Sequence, residues 1–302
     1  MPIDVQNVTR FYGRQKALDD VSFHVGKGEV VALLGPNGAG KSTMMKIITC
    51  FIPQHAGQVS VCGYDVVSQS LEVKKTTGYL PENNPLYHDM YVREYLEFVA
   101  RLYRLGKKAR VRVDEMIGAT GLQREQKKKI GALSKGYRQR VGLSQALIHD
   151  PEVLILDEPT SGLDPNQLDE IRQLIREVGR EKTVLLSTHI MQEVEAICDR
   201  VIIMHKGKIV ADALTSDMKK MTLGGQVVRV TFDKPAGQES LAALSGISGY
   251  TDEGSNTYRV YGAQEADVRP ALFHYAVANG LVILAMEQET RSLEQVFRQL
   301  TV

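Results

Sequence analysis

No run of eighteen apolar residues occurs in the 302-residue chain, so nothing in it reads as a membrane-spanning helix. An excess of one charge is also missing. Lys and Arg number 37 against 36 Asp and Glu, a formal net charge of +1, and no global basic field draws the chain to nucleic acid or to an anionic membrane. Cysteine is scarce: Cys50, Cys62 and Cys198 are far apart and form no Cys-x-x-Cys pair, which leaves no zinc or redox motif and reads as reduced thiols. The opening residues Met1, Pro2, Ile3 and Asp4 lack the basic-then-apolar pattern of an export signal, and a cytoplasmic location is expected. The lone basic run, Lys127 to Lys129, reads as a solvated helix end. The length sets a prior of about two domains.

Against these absences stands a dense glycine-rich segment. Gly35, Pro36, Asn37, Gly38, Ala39, Gly40, Lys41 and Ser42 follow the aliphatic run Val30 to Leu34, which reads as a buried strand. This is the phosphate-binding P-loop pattern. Its glycines let backbone N–H groups turn inward around phosphate oxygens, Lys41 supplies a point charge, and Ser42 offers a hydroxyl to a magnesium ion. A helix starting near Lys41, with Thr43 in its first turn, aims its positive end at the same place. A dinucleotide fingerprint spaces its glycines differently and lacks the Lys-Ser pair.

Hydrophobic alternation predicts strands over Ile3 to Tyr12, Ala17 to Val25, Glu29 to Gly35 and Gln58 to Tyr64, with a helix from Lys41 to Phe51. A short strand then runs into Tyr79, Leu80 and Pro81. Val92, Tyr95, Leu96, Val99, Leu102 and Tyr103 recur at helical spacing, and the region of about 83–150 reads as wholly helical. Strand Val153 to Leu156, helix Pro165 to Val178, strand Thr183 to Thr188, helix Met191 to Ile197 and strand Val201 to Met204 follow. That alternation argues a mostly parallel sheet with its ligand beyond the carboxyl ends of the strands. Past Gly224 a second pattern begins: strand Gln226 to Phe232, helix Glu239 to Leu244, strands Ser248 to Asp252 and Tyr258 to Gly262, helix Asp267 to Asn279, strand Leu281 to Glu287 and helix Ser292 to Leu300. This β-α-β-β-α-β order is ferredoxin-like.

Asp157 and Glu158 end the aliphatic strand from Val153. Adjacent carboxylates also suit a helix start, but at a strand end Asp157 can hold magnesium through water and Glu158 can orient and polarise an attacking water. Upstream stands Leu133, Ser134, Lys135, Gly136 and Tyr137. Ser134 fits an ordinary helix N-cap and, with the Gly136 N–H, fits a phosphate receptor equally well.

At this point the chain resembles the ATP-binding subunits of ABC transporters, whose diagnostic peptide is Leu-Ser-Gly-Gly-Gln. Lys135 and Tyr137 depart from that peptide. Ser161 to Asp164 lies where the family has its D-loop, His189 where it has its switch histidine, and Tyr12 where it stacks an aromatic ring on adenine. Glu82 replaces the usual Gln that touches the metal and the attacking water. The resemblance spans about Ile3 to Thr222.

The resemblance implies an α/β P-loop NTPase of ABC type, with a mixed sheet core, an antiparallel β subdomain and a helical insertion at about 83–150, over residues 1–221. Residues 222–302 are expected to form a small accessory or regulatory α+β domain. It also implies ATP and Mg2+ as ligands, with Glu158, His189 and Lys41 catalytic. Tyr12, Gly35 to Thr43, Ser134, Gly136 and Asp164 would bind nucleotide, and Ser42, Glu82 and Asp157 would hold the metal. Two copies would sandwich two ATP molecules head to tail, each held by the loop of one subunit and Ser134 and Gly136 of the other. Integral membrane permease subunits would complete a transporter on the cytoplasmic face of the inner membrane. The tail, closing at Ser292 to Phe297, resembles bacterial two-component exporter ATPases of ABC-2 type, including those associated with gliding motility. A soluble ATPase of this family acting on ribosomes or DNA is the rival; its members usually carry two ATPase domains in one chain or a long coiled-coil or zinc-bearing insertion, and the sequence shows neither. A subunit with a degenerate nucleotide site is disfavoured by the intact Lys41, Asp157, Glu158 and His189.

Overall fold

The computed structural model describes residues 1–218, 227–237, 241, 244–263, 267–289 and 297. The chain divides into two compact units, the first from Met1 to Thr215 and the second beginning at Ser216. The first holds two sheets. Strands β1 (Ile3–Tyr12), β2 (Gln15–Val25), β4 (Ala56–Val61) and β5 (Tyr64–Asp65) form an antiparallel sheet in the order β2-β1-β4-β5. The other sheet contains β3 (Val30–Leu34), β6 (Thr77–Leu80), β7 (Val153–Asp157), β8 (Thr183–Thr188), β9 (Arg200–His205) and β10 (Lys208–Leu214). Its order is β10-β9-β3-β8-β7-β6, parallel throughout except for β10 on β9. Every residue of β3, β7 and β8 is buried, as the aliphatic runs at their centres require of strands covered on both faces.

Helix α1 (Lys41–Ile48) packs between the two sheets. Its Met44, Met45, Ile47 and Ile48 share one core with Val5 and Val59 of the antiparallel sheet and Leu33 and Ile155 of the other. Each such side chain contributes about 1.5–3 kcal/mol when fully buried. The helix stops at Ile48, short of the expected Phe51. Cys50 takes φ 60°, and the N–H groups of Cys50 and Phe51 donate to the carbonyls of Ile47 and Lys46, a left-handed cap that ends the helix whatever its apolar content. The strand expected over Gln58 to Tyr64 is split. Cys62 and Gly63 both have positive φ and turn the chain between β4 and β5 as a two-residue hairpin.

Helices α2 (Ser70–Thr76), α3 (Val92–Leu102), α4 (Ala109–Ala119) and α5 (Lys135–Leu147) follow, the last three making the helical region between β6 and β7. Val92, Tyr95, Leu96 and Val99 are buried as their spacing predicts, whereas Leu102 is 64% exposed on the last turn. Helix α6 (Pro165–Gly179) precedes β8, α7 (Met191–Ile197) follows it, and the single turn α8 (Thr215–Met218) follows β10.

At the end of the helical region His149 stacks on Tyr103 with centroids 3.9 Å apart, and its Nε2 donates to the Thr77 carbonyl at 3.1 Å. Burial lowers its pKa to about 4. The folded chain therefore keeps His149 neutral while the unfolded chain binds a proton as pH falls below about 6.5, so stability is lost progressively down to the folded value. His149→Gln retains an N–H donor and removes the titration. Its unfolding free energy should fall less than the wild type's between about pH 7.5 and pH 4.5, by on the order of 1–3 kcal/mol, in denaturant titrations.

The second unit contains β11 (Val227–Phe232), β12 (Ile247–Gly254), β13 (Thr257–Gly262), helix α9 (Arg269–Ala278) and β14 (Ile283–Glu289). The sheet order β12-β13-β11-β14, antiparallel at every pairing, is the one a split β-α-β unit requires. Val228, Val230, Phe232, Tyr258 and Val260 pack against Leu272, Tyr275 and Ala276 of α9. Of the helix expected over Glu239 to Leu244 only Leu241 and Leu244 lie among the described residues. The helix expected over Ser292 to Leu300 lies outside them apart from Phe297.

Candidate functional site

The register of the six-stranded sheet sets Leu34 beside Thr188 and Asp157 beside Ser187, so the segments leaving β3, β7 and β8 emerge together at the carboxyl end. After β3 the chain loops into α1. Gly40 caps that helix at φ 109°, and a Cβ there would lie 2.7 Å from the Ala17 carbonyl oxygen. A Cβ on Gly35 would run into the Met204 carbonyl oxygen. With no capping side chain and no acid in its first turn, α1 leaves its leading N–H groups for an anion.

Lys41 is only 5% exposed. Its Nζ donates to the carbonyls of Gly35 at 2.7 Å and Pro36 at 3.3 Å and lies 3.7 Å from Glu158 Oε1. Burial pulls the ammonium below its ordinary pKa, opposed by the carboxylates of Glu158, Asp157 and Glu82. Asp157 Oδ1 accepts from Ser187 Oγ at 2.6 Å and from Ser42 Oγ at 3.1 Å, which ties β7 to both β8 and α1.

Glu158 takes φ 49°, a left-handed conformation that costs a long side chain on the order of 1–3 kcal/mol. Its N–H is held by Ser187, 3.0 Å from the hydroxyl and 3.2 Å from the carbonyl. Glu158 Oε2 is 2.9 Å from His189 Nδ1, so an ionised Glu158 accepts from a protonated Nδ1. Burial holds the Glu158 carboxyl above the usual carboxylate range, against the pull of His189 and Lys41. The arrangement is a buried carboxylate between an ammonium and an imidazole. Chemically, it can take a proton from a water beside a bound phosphate.

A cleft of about 410 Å³ opens over this group. Tyr12, Asn37 to Thr43, Glu82, Glu158 and His189 line it, and so do Gln15, Ala17 and Ser161. The Arg10 guanidinium lies 5.3 Å from the centroid of the Tyr12 ring, a cation–π contact that steadies a ring 47% exposed. Gly35 and Pro36 sit beneath the loop as acceptors for Lys41, and Asp157 lies behind Ser42.

Ser134, Gly136 and Asp164 do not line this cleft. Ser134 caps α5 by accepting from the Tyr137 N–H at 3.4 Å, and Asp164 caps α6 by accepting from the Gln167 N–H at 3.0 Å. Gly136 faces the Gln167 side chain so closely that a Cβ would clash with it, and the Lys135 ammonium occupies the space a Cβ on Gly162 would need. The peptide from Leu133 thus rests on the segment from Gly162 to Gln167.

Sequence reasoning passed over Gln15, Ala17, Ser187 and a buried trio, Thr160, Thr188 and Glu193. The signal was present for Ser187 and Thr188, two hydroxyls ending an otherwise aliphatic strand that no core of that strand asks for. Glu193 gave none, because a Glu in the first turn of a helix is ordinary.

Residues 18–161 match the family described as ABC transporter. The chain is 41% identical to the ABC transporter ATP-binding protein NatA of Bacillus subtilis (strain 168), over 65% of this chain and 80% of that protein. It is 33% identical to the Nod factor export ATP-binding protein I of Burkholderia orbicola (strain AU 1054), over 99% of this chain and 97% of that protein. Among solved structures, a dimeric ATP-binding cassette in a post-hydrolysis state, bound to ADP and phosphate, superposes with a TM-score of 0.65. It is 26% identical, over 70% of this chain and 98% of that one. The chain belongs to the ABC transporter family, as one of its ATP-binding and ATP-hydrolysing subunits.

Proposed function

We propose that this subunit powers export through separate membrane subunits, and that ATP is hydrolysed in the cleft above Lys41 by water activated at Glu158. The observation that carries the reading is the contact of Glu158 with both Lys41 and His189 beside the loop from Gly35 to Ser42. Tyr12 stacks the base, the N–H groups from Gly38 to Thr43 hold the phosphates, and Lys41 turns from the Gly35 and Pro36 carbonyls to the outer phosphates. The water oxygen attacks the γ-phosphorus, its proton passes to Glu158, and the bond to the bridging oxygen breaks to leave ADP. His189 fixes the Glu158 carboxylate and faces the γ-phosphate.

Magnesium fits the oxygen donors present: the Ser42 hydroxyl, with the Asp157 carboxylate 3.1 Å behind it, would hold the ion, Asp157 through water. When bound, the ion neutralises and orients the outer phosphates. Glu82, lining the same cleft, would hold the ion through water.

Ser134, Gly136 and Asp164 serve a second copy of the chain in an isologous dimer. Their position off their own cleft, and the dimeric state of the solved cassette, support this reading. A groove of about 240 Å³ lined by Phe51, Tyr79, Pro81, Pro85 and Tyr103 receives a short segment of a membrane subunit; Phe51 is 69% exposed at its rim. Among the described residues no helix is long and apolar enough to cross a membrane. The relatives' names favour export over action on ribosomes or DNA. Residues 222–302 act as an accessory domain to the ATPase.

Mixing subunits tests the shared site. Ser134→Glu chains and Lys41→Ala chains should each be inactive alone. Together they can form at most one working site per dimer, so phosphate release should reach no more than about half the wild-type rate. Full wild-type activity of the mixture contradicts the shared-site model, and so does a mixture no more active than either variant alone.

A further inference from the structure

Glu193, on the first turn of α7, is 1% exposed, and among the described residues no cation pairs with it. A carboxylate buried that deeply costs the fold stability, and hydroxyl donors offset only part of the cost. Its two oxygens leave the helix in different directions. Oε1 accepts from the Thr160 hydroxyl and Oε2 from the Thr188 hydroxyl at 2.6 Å. Thr188 Oγ1 also accepts from the Ile190 N–H at 3.0 Å, so this hydroxyl is spent on both sides.

Thr160 and Thr188 are 3% and 0% exposed. Thr160 lies two residues past Glu158, and Thr188 immediately precedes His189. Because His189 Nδ1 meets Glu158 Oε2 at 2.9 Å, chain and hydrogen bonds close a ring through Glu158, Thr160, Glu193, Thr188 and His189. An acid serving only its own helix would turn to that helix's free N–H groups; Glu193 bonds the segment after β7 and the end of β8 instead.

Resting on the reading of Glu158 and His189 as the working pair, we propose that Glu193 is a positioning residue, a buried clamp that fixes the segment after β7 against the end of β8. It keeps the Glu158 carboxylate and the His189 ring aligned on the attacking water. It touches neither ATP nor the loop that binds it.

The test uses the full chain with Glu193→Ala, Thr160→Val, Thr188→Val and the double Val variant, with Glu158→Gln alongside. Misplacing a reacting group by about 1 Å costs up to about 100-fold in rate, so Glu193→Ala should lower kcat about 10–100-fold, and each Val variant about 3–10-fold. The affinity for ATP, measured by equilibrium binding, should stay within about 3-fold, because the P-loop lies outside the ring. The double Val variant should reproduce the Glu193→Ala loss, and adding Glu193→Ala to it should lower kcat little further. If Glu193→Ala fails to fold, the isosteric Val variants decide. Wild-type kcat in both of them, or kcat and ATP affinity falling together, overturns the proposal. An active Glu158→Gln chain would instead overturn the reading it rests on. An inactive one beside unaffected Val variants removes Glu193 alone.

Discussion

Glu158→Gln should turn over ATP about 10²–10⁴-fold more slowly than the wild type while still binding it. Gln keeps the length and shape of the side chain and still presents an oxygen to His189, but it cannot take a proton from water. The rest of the site stays in place. Lys41 is anchored independently by the Gly35 and Pro36 carbonyls, and the backbone at 158 by Ser187. Phosphate release, equilibrium ATP binding and size-exclusion chromatography check the result together. A dimer that persists with ATP is expected, since the bound nucleotide is not consumed. Turnover within a few-fold of the wild type would show that another group activates the water.

Lys41→Ala should fail one step earlier, at binding. In the wild type one ammonium balances Glu158, Asp157 and Glu82, each of which acts on it. Without it, the triphosphate meets carboxylates with no cation from the loop. A hydrogen bond to a charged group contributes about 1.5–3 kcal/mol net, which sets a loss of roughly 10–150-fold in ATP affinity before the added repulsion is counted. Removing the ammonium leaves the buried Glu158 carboxylate without one of its partners, so the variant should melt lower than the wild type, and the titration is run below that melting point. Titration with ATP at fixed magnesium reads the change, and unperturbed affinity removes Lys41 from the phosphate site.

Much of the fold is written in local pattern. Strand β1, strand β8 and helix α7 fall where their periodicity places them, and the ligand-bearing end of the sheet follows from strands that alternate with helices. Strand β10 did not stand out. It is an edge strand with no fully buried residue, and the sign of it is the hairpin at Lys206 and Gly207, both at positive φ. Helix α2 buries Val73 alone and shows no stripe to read. At the site, residues that need a special chemistry were legible: glycines at the loop, Lys41, and carboxylates ending an aliphatic strand. Residues that hold those groups in place were not. Ser187, Thr160 and Glu193 act through partners far away in the sequence, and no short motif records a hydrogen bond across 29 to 33 residues.

The left-handed backbone at Glu158 sets endurance against work. Asn and Gly accept φ 49° far more readily than Glu, and either would also remove a buried charge. Random variants chosen only for surviving heat would therefore drift toward Asn or Gly at this position and be spent as catalysts. Under the role proposed for Glu158, a glutamate at this position trades durability of the folded chain for the turnover of ATP.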